Sequence, residues 1–194
     1  MLEEEIFEFD DSIEHELKTK GRYGCKGEKR AKRRKATPEQ MARQNQWKKE
    51  ALVRRKIKAN FSPGDLWQTH KYPKGTRITY EQVKDHLTKY QRQMRREYKS
   101  RGQPYKWICR IEIGSRGGIH VHMIVNRLSD PEADLIAQRI WGKITGGRIN
   151  YTNLYAEGGY AKLAKYITKK PNEEQMEQLK AYDEKAVKGM IKYT

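Results

Sequence analysis

Cysteine is scarce and unpatterned: Cys25 and Cys109 stand 84 positions apart and form no C-x-x-C pair. That spacing excludes a disulfide framework and a thiolate zinc site, and it suits a reducing cytoplasm. Long apolar runs are missing too, since no stretch approaches the roughly 18 residues of a spanning helix. No basic amphipathic helix carries a strong apolar face, so membrane-surface binding is the weaker reading of the charge. The first eight residues are acidic where a secretory signal is basic and then apolar, so export is not indicated. No G-x-x-x-x-G-K-[ST] run occurs, which excludes a built-in helicase of the P-loop type. Acid is the last shortage, with 25 Asp and Glu against 42 Lys and Arg in 194 residues, a formal +17. So much like charge destabilises a compact state unless a polyanion shares the surface, which makes nucleic acid the leading partner.

The length fits one domain with an extension. Residues 1–60 are compositionally distinct: an acidic start, the run Lys29-Arg30-Ala31-Lys32-Arg33-Arg34-Lys35, then Thr37-Pro38-Glu39, which predicts a helix start. We expect a basic arm and helix through about Lys58, partly disordered or lying along DNA, with a merely solvated charge run as the bland alternative. Residues 61–194 then form the main domain. Leu66 to Tyr72 reads as a strand, and Val83, Leu87, Tyr90, Met94 and Tyr98 recur at helical spacing. Lys106–Ile113 and Ile119–Val125 alternate on either side of Ser115-Arg116-Gly117-Gly118 and predict a hairpin. Helices over Pro131–Trp141 and Gly159–Lys170, a strand over Arg148–Leu154 and a last helix capped by Asn172 complete an α+β reading. The expected architecture is a single antiparallel sheet flanked by helices.

His120-Val121-His122 carries the most chemistry. Residues i and i+2 of a strand share a face, so the two imidazoles can hold one divalent cation. A bare His-x-His is more often the polar face of an ordinary strand. Here Val121, Met123 and Val125 take the core side, leaving both histidines on the other face of a strongly basic protein. Glu112 is the natural third ligand, because a carboxylate beside two imidazoles suits Mg²⁺ or Mn²⁺. Its candidacy depends on register: an odd hairpin loop places it opposite His120, and a four-residue loop turns it away. His70 is a weaker substitute. On the helix near residue 165, Tyr160, Leu163, Ala164 and Ile167 make the core stripe, while Lys162, Tyr166 and Lys169 share another face. Cationic neighbours there would favour the phenolate of Tyr166, although a tyrosine among lysines can also simply stack on a base.

Three stretches together resemble the HUH endonuclease superfamily, and within it the rolling-circle replication initiators of phages and plasmids. They are Arg110 to Glu112 with Arg116 to His122, Trp141-Gly142 to Asn150, and Ala164-Lys165-Tyr166-Ile167-Thr168-Lys169. The resemblance spans roughly residues 65–170. It implies that His120, His122 and Glu112 bind the metal, that Tyr166 attacks and that Lys169 assists at the phosphate. Some relatives carry a second nucleophile one helical turn earlier, where this chain has Lys162. A single-tyrosine enzyme follows, with Tyr160 as the only other candidate. The implied activity nicks single-stranded DNA or an origin hairpin in the cytoplasm of a bacterial host, with helicase and polymerase supplied by that host. Lys162, Lys165, Lys170, Arg116, Arg30, Arg33 and Arg34 are the expected DNA contacts. A transposase or relaxase of the same chemistry and a non-catalytic basic binding module are the competing readings.

Overall fold

A computed structural model describes residues 2–19, 35–114, 117–130, 132–155, 157–180 and 191–193. In chain order it contains β1 (Leu2–Phe9), β2 (Ser12–Thr19), α1 (Pro38–Asn60), β3 (Leu66–Lys71), α2 (Tyr80–Ser100), β4 (Trp107–Ile113), β5 (Ile119–Val125) and α3 (Ala133–Thr145). After these come β6 (Arg148–Asn153), a 3-10 turn (Glu157–Tyr160), α4 (Ala161–Thr168), α5 (Glu173–Lys180) and β7 (Ile191–Tyr193). Both long helices open with a capping box. The Thr37 hydroxyl accepts from the Gln40 N–H while the Gln40 side chain accepts from the Thr37 N–H, and Thr79 and Gln82 repeat the arrangement. Two otherwise orphaned donors are satisfied at each start.

The class is α+β, as expected, but the expectation of a single sheet needs correction. One antiparallel sheet has the order β6-β3-β5-β4-β7, and a second, two-stranded sheet pairs β1 with β2. Glutamates on both faces hide the strand signal of residues 2–19, because the apolar part of the pattern is only Leu2, Ile6, Ile13 and Leu17 on one face and Phe7 and Phe9 on the other. The basic run with Arg30, Arg33 and Arg34, and Arg116 in the β4–β5 turn, lie outside the described residues.

Helices cover both faces of the larger sheet. On one face, Val83, Leu87, Tyr90 and Met94 of α2, with Trp141 of α3, pack on Cys109, Ile111, Val121 and Met123. On the other, Val53 and Ile57 of α1 meet Ile108 and Ile124 of the sheet and Ala164 and Ile167 of α4. The helix of the segment expected as a basic arm, partly disordered or lying along DNA, therefore holds fully buried side chains. Overall composition misleads here because two apolar residues one turn apart are enough when the sheet supplies the rest of the core. Trimming residues 1–58 as a probe of DNA binding would also remove both core residues. Ile57→Ala is expected to lower unfolding stability in urea by about 2–5 kcal/mol. Leu52→Ala, at a position 47% exposed in the same helix, should stay within about 0.5 kcal/mol of the parent.

Candidate active site

Five residues separate Ile113 from Ile119, and this odd loop sets the register. Gly114 and Gly118 close it with a backbone hydrogen bond of 2.8 Å, and Gly117 takes φ +77°, which a glycine accepts without strain. Glu112 then pairs with His120, and Arg110 with His122. All four side chains project from the face that α1 and α4 cover only in part. Thr69 pairs with His122 from the other side and Lys71 with His120, so β3 extends the same polar surface.

Glu112 is the hub. Its Oε2 lies 2.9 Å from the Tyr166 hydroxyl, 3.1 Å from His122 Nε2 and 3.5 Å from His120 Nε2. Its Oε1 accepts from Lys169 Nζ at 3.0 Å and from Gln175 Nε2 at 3.1 Å. The Tyr166 hydroxyl also lies 3.0 Å from His122 Nε2. One ligand atom from each of Glu112, His120 and His122 can be chosen within 4.8 Å of the others. Two imidazoles and a carboxylate so gathered could hold a metal ion. The His122 Nδ1 is 3.2 Å from the Thr69 hydroxyl, which orients the ring from behind, as second partners of metal-binding histidines do. Trp67 stacks on His122 at 5.2 Å and meets Tyr166 edge-on at 5.8 Å.

Helix α4 is tied down from the sheet. Arg110, buried to 2% exposure, points Nη1 at the carbonyls of Tyr166, Ile167 and Lys169 at 3.3, 2.8 and 2.7 Å. A cation on helix C-terminal carbonyls satisfies orphaned acceptors and opposes the negative end of the dipole. Lys169 Nζ sits 4.6 Å from the Tyr166 ring centroid, while Lys162, Lys165 and Lys170 are exposed. A groove of about 590 Å³ opens beside the cluster, lined by Thr69, Lys71, Lys74, His120, His122 and Tyr166 among others.

The electrostatics modify one expectation. Burial pushes the Glu112 carboxyl up, but hydrogen bonds from His120, His122, Lys169 and Gln175 outweigh it and hold the group far below the carboxylate range. Burial, reinforced by the hydrogen bond to Glu112, pushes the Tyr166 phenol up to about 12. Burial and the Glu112 carboxylate therefore outweigh the cationic neighbours expected to favour the phenolate. His122 is pushed down by burial, which keeps the imidazole neutral as a metal ligand requires.

His70 is excluded as a substitute ligand. It pairs with Val121 and so faces the opposite core, where it is fully buried against Tyr90 and Trp141 and hydrogen-bonded to Gln68 at 3.0 Å. Burial holds its pKa at about 3. Tyr160 is 3% exposed and belongs to the α1 core cluster. Sequence reasoning missed Trp67, Thr69 and Gln175. The first two lie on the site face of β3, whose residues alternate between the two faces of the sheet. Gln175 gave only a helix-cap signal. In the structure its Oε1 accepts from the Asn172 N–H at 3.1 Å, and its Nε2 donates to Glu112 and to the Ile113 carbonyl at 2.9 Å.

The protein is thus an α+β chain that gathers two histidines, a carboxylate and a tyrosine at one end of an antiparallel sheet. A family profile for replication-associated proteins of the ORF2 kind matches residues 65–171, more than half of the chain and the whole span from β3 to the end of α4. The chain belongs to that family. No curated protein and no solved structure matches it. Among the described residues, no helix is long and apolar enough to cross a membrane.

Gln175 lies beyond the matched span and holds the carboxylate hub. Gln175→Leu is expected to weaken Mn²⁺ binding by about tenfold, the lower end for a second partner of a metal ligand, while the thermal unfolding midpoint changes little. Titration of the variant with Mn²⁺ by electron paramagnetic resonance checks this, and an unchanged affinity would mean that Lys169 alone orients Glu112.

Proposed function

We propose that the chain is a replication initiator endonuclease of the HUH type, which nicks single-stranded origin DNA and stays linked to the new 5′ end. The observation that carries this reading is the Tyr166 hydroxyl, 2.9 Å from Glu112 and 3.0 Å from His122. A nucleophile candidate on a separate helix reaches the same atoms that are placed to hold a cation. Membership in a family of replication-associated proteins points to the same activity.

The chemistry is a transesterification. The Tyr166 oxygen forms a bond to phosphorus in line with the bond to the sugar 3′ oxygen, which breaks. The phenol gives up a proton and the departing 3′ oxygen gains one, so the products are a 5′-phosphotyrosine and a free 3′-hydroxyl. Because one phosphodiester replaces another, the reverse step by a later 3′-hydroxyl can close a circle. A divalent cation held by Glu112, His120 and His122 would withdraw charge from a phosphate oxygen and offset the upward push that Glu112 now exerts on the phenol. Lys169, already beside both Glu112 and the Tyr166 ring, is placed to meet the phosphate. Lys162, Lys165 and Lys170 add a cationic approach along α4. The groove beside His120 gives room for an unpaired strand, which bends into such a site more readily than a duplex does. In this reading a helicase of the bacterial host unwinds the DNA, and the 3′ end is left for its polymerase.

Tyr166→Phe should abolish the covalent DNA adduct seen on a denaturing gel with labelled single-stranded origin DNA and Mn²⁺, and leave DNA binding near the parent level. Cleavage that survives this change would remove Tyr166 as the nucleophile. His120→Ala and His122→Ala should each lower nicking by at least about a hundredfold, and a chelator should stop the parent enzyme. Nicking that persists undiminished in the chelator would refute the metal role.

A further inference from the structure

Among the described residues, the hairpin β1–β2 places no side chain in either core cluster, yet its inner face is bound to α1. Residues 1–19 hold eight of the 25 acidic residues and one of the 42 Lys and Arg, a net −7 against +24 for the rest of the chain. Arg55 of α1 lies with its guanidinium 3.6 Å from the Phe7 ring centroid. Its Nε donates to Glu14 at 3.2 Å and its Nη1 pairs with Glu16 at 2.7 Å. Arg54 reaches Glu14 at 2.7 Å. Lys58 reaches Glu14 at 2.8 Å and the Ser12 hydroxyl at 3.0 Å, with the Phe9 ring 5.1 Å away.

A ring on the flat face of a guanidinium with anionic oxygens at its edge is the pair of contacts that a nucleobase and its phosphate offer an arginine. We infer that the face of α1 formed by Arg54, Arg55 and Lys58 is a second site for single-stranded nucleic acid, and that the acidic hairpin is its intramolecular competitor. Phosphates would replace Glu14 and Glu16, and a base would replace Phe7. This rests on single-stranded DNA being the partner, as proposed above, and not on the chemistry of Tyr166.

The seat of the hairpin supports exchange. A cavity of about 330 Å³ lies between Glu14 and Glu16 of the hairpin and Trp47, Arg54, Arg55 and Ala164 of the helices, so charge rather than close packing joins the two. The outward face leaves Leu2, Ile6, Ile13 and Leu17 more than half exposed, and no buried apolar seam would be torn on release. Burial pushes the Glu14 carboxyl up, but Lys58, Arg54 and Arg55 bring it down to about 2, so the contact persists at neutral pH. The consequence is discrimination. A bare cationic face on so basic a body binds any nucleic acid, whereas a covered one opens only to a strand already held at the nuclease site, whose local concentration is high. That face adjoins α4, since Ala161 and Ala164 line the same cavity.

The test uses the full chain carrying Glu14→Gln with Glu16→Gln, and fluorescence anisotropy with a labelled oligothymidine across a salt series. Releasing three cations should steepen the plot of log affinity against log salt by about 2, at roughly 0.7 per single-strand phosphate. Adding Arg54→Ala and Arg55→Ala should take back most of that gain. Thermal unfolding should be nearly unchanged throughout, because the hairpin lies outside both cores. Failure of the parent chain to bind at any salt would remove the DNA reading itself and this inference with it. Binding by the parent with an identical slope in the double glutamine variant, or a gain that survives loss of the two arginines, would overturn the competitor alone.

Discussion

Everything at the site depends on keeping one buried carboxylate charged. Glu112 is only 5% exposed, and an isolated carboxylate taken so far from water would protonate. It stays ionised because its two oxygens are divided between two kinds of neighbour. Oε1 accepts from Lys169 and Gln175. Oε2 faces His120, His122 and Tyr166, the groups to which the proposed chemistry falls. One oxygen is thus tied to a lysine and a glutamine, and the other would exchange its hydrogen bonds for a metal contact if an ion were bound.

That division rests in turn on where α4 sits. Arg110 shares the strand face with Glu112, two residues earlier, and directs its charge at the carbonyls that end α4. From the other side, Gln46 of α1 donates to the carbonyl and the hydroxyl of Thr168 at 3.2 Å each. The sheet and α1 therefore grip the same helix end. This gives α1 a part in the site, and it explains how a segment outside the matched family span can matter to the tyrosine.

The cluster of Glu112, His120 and His122 is the most legible part of the sequence because it needs only strand alternation and one register. His120 and His122 followed from their spacing. Glu112 depends on the loop length, and the five residues between Ile113 and Ile119 place it opposite His120. The helix face shared by Tyr166 and Lys169 was equally readable. The environment of the phenol was not, since neighbours along a helix can be counted from sequence but a carboxylate arriving from the sheet cannot. Gln175 was invisible for the same reason: its capping role is local and its bond to Glu112 spans 63 residues. The hairpin β1–β2 escaped because its partner is charge on α1 rather than a core, so the apolar periodicity that announces a strand is half missing.

So short a helix holds Tyr166 in one orientation because both of its ends are fixed. Each residue turns a helix by about 100°, so an error of one position in the start of α4 would swing the phenol off the cluster. The start is set by three successive left-handed residues, Gly158, Gly159 and Tyr160, with φ near +60°. Two glycines take this conformation freely, but at Tyr160 it costs about 1–3 kcal/mol of strain. Burial of its ring beside Val53 and Ile57 offsets that cost and locks the turn to α1. With the first residue set by the Tyr160 ring and the last by Arg110 and Gln46, two turns of helix have no rotation left to choose. Strain at residue 160 is therefore what delivers the hydroxyl of residue 166 to Glu112.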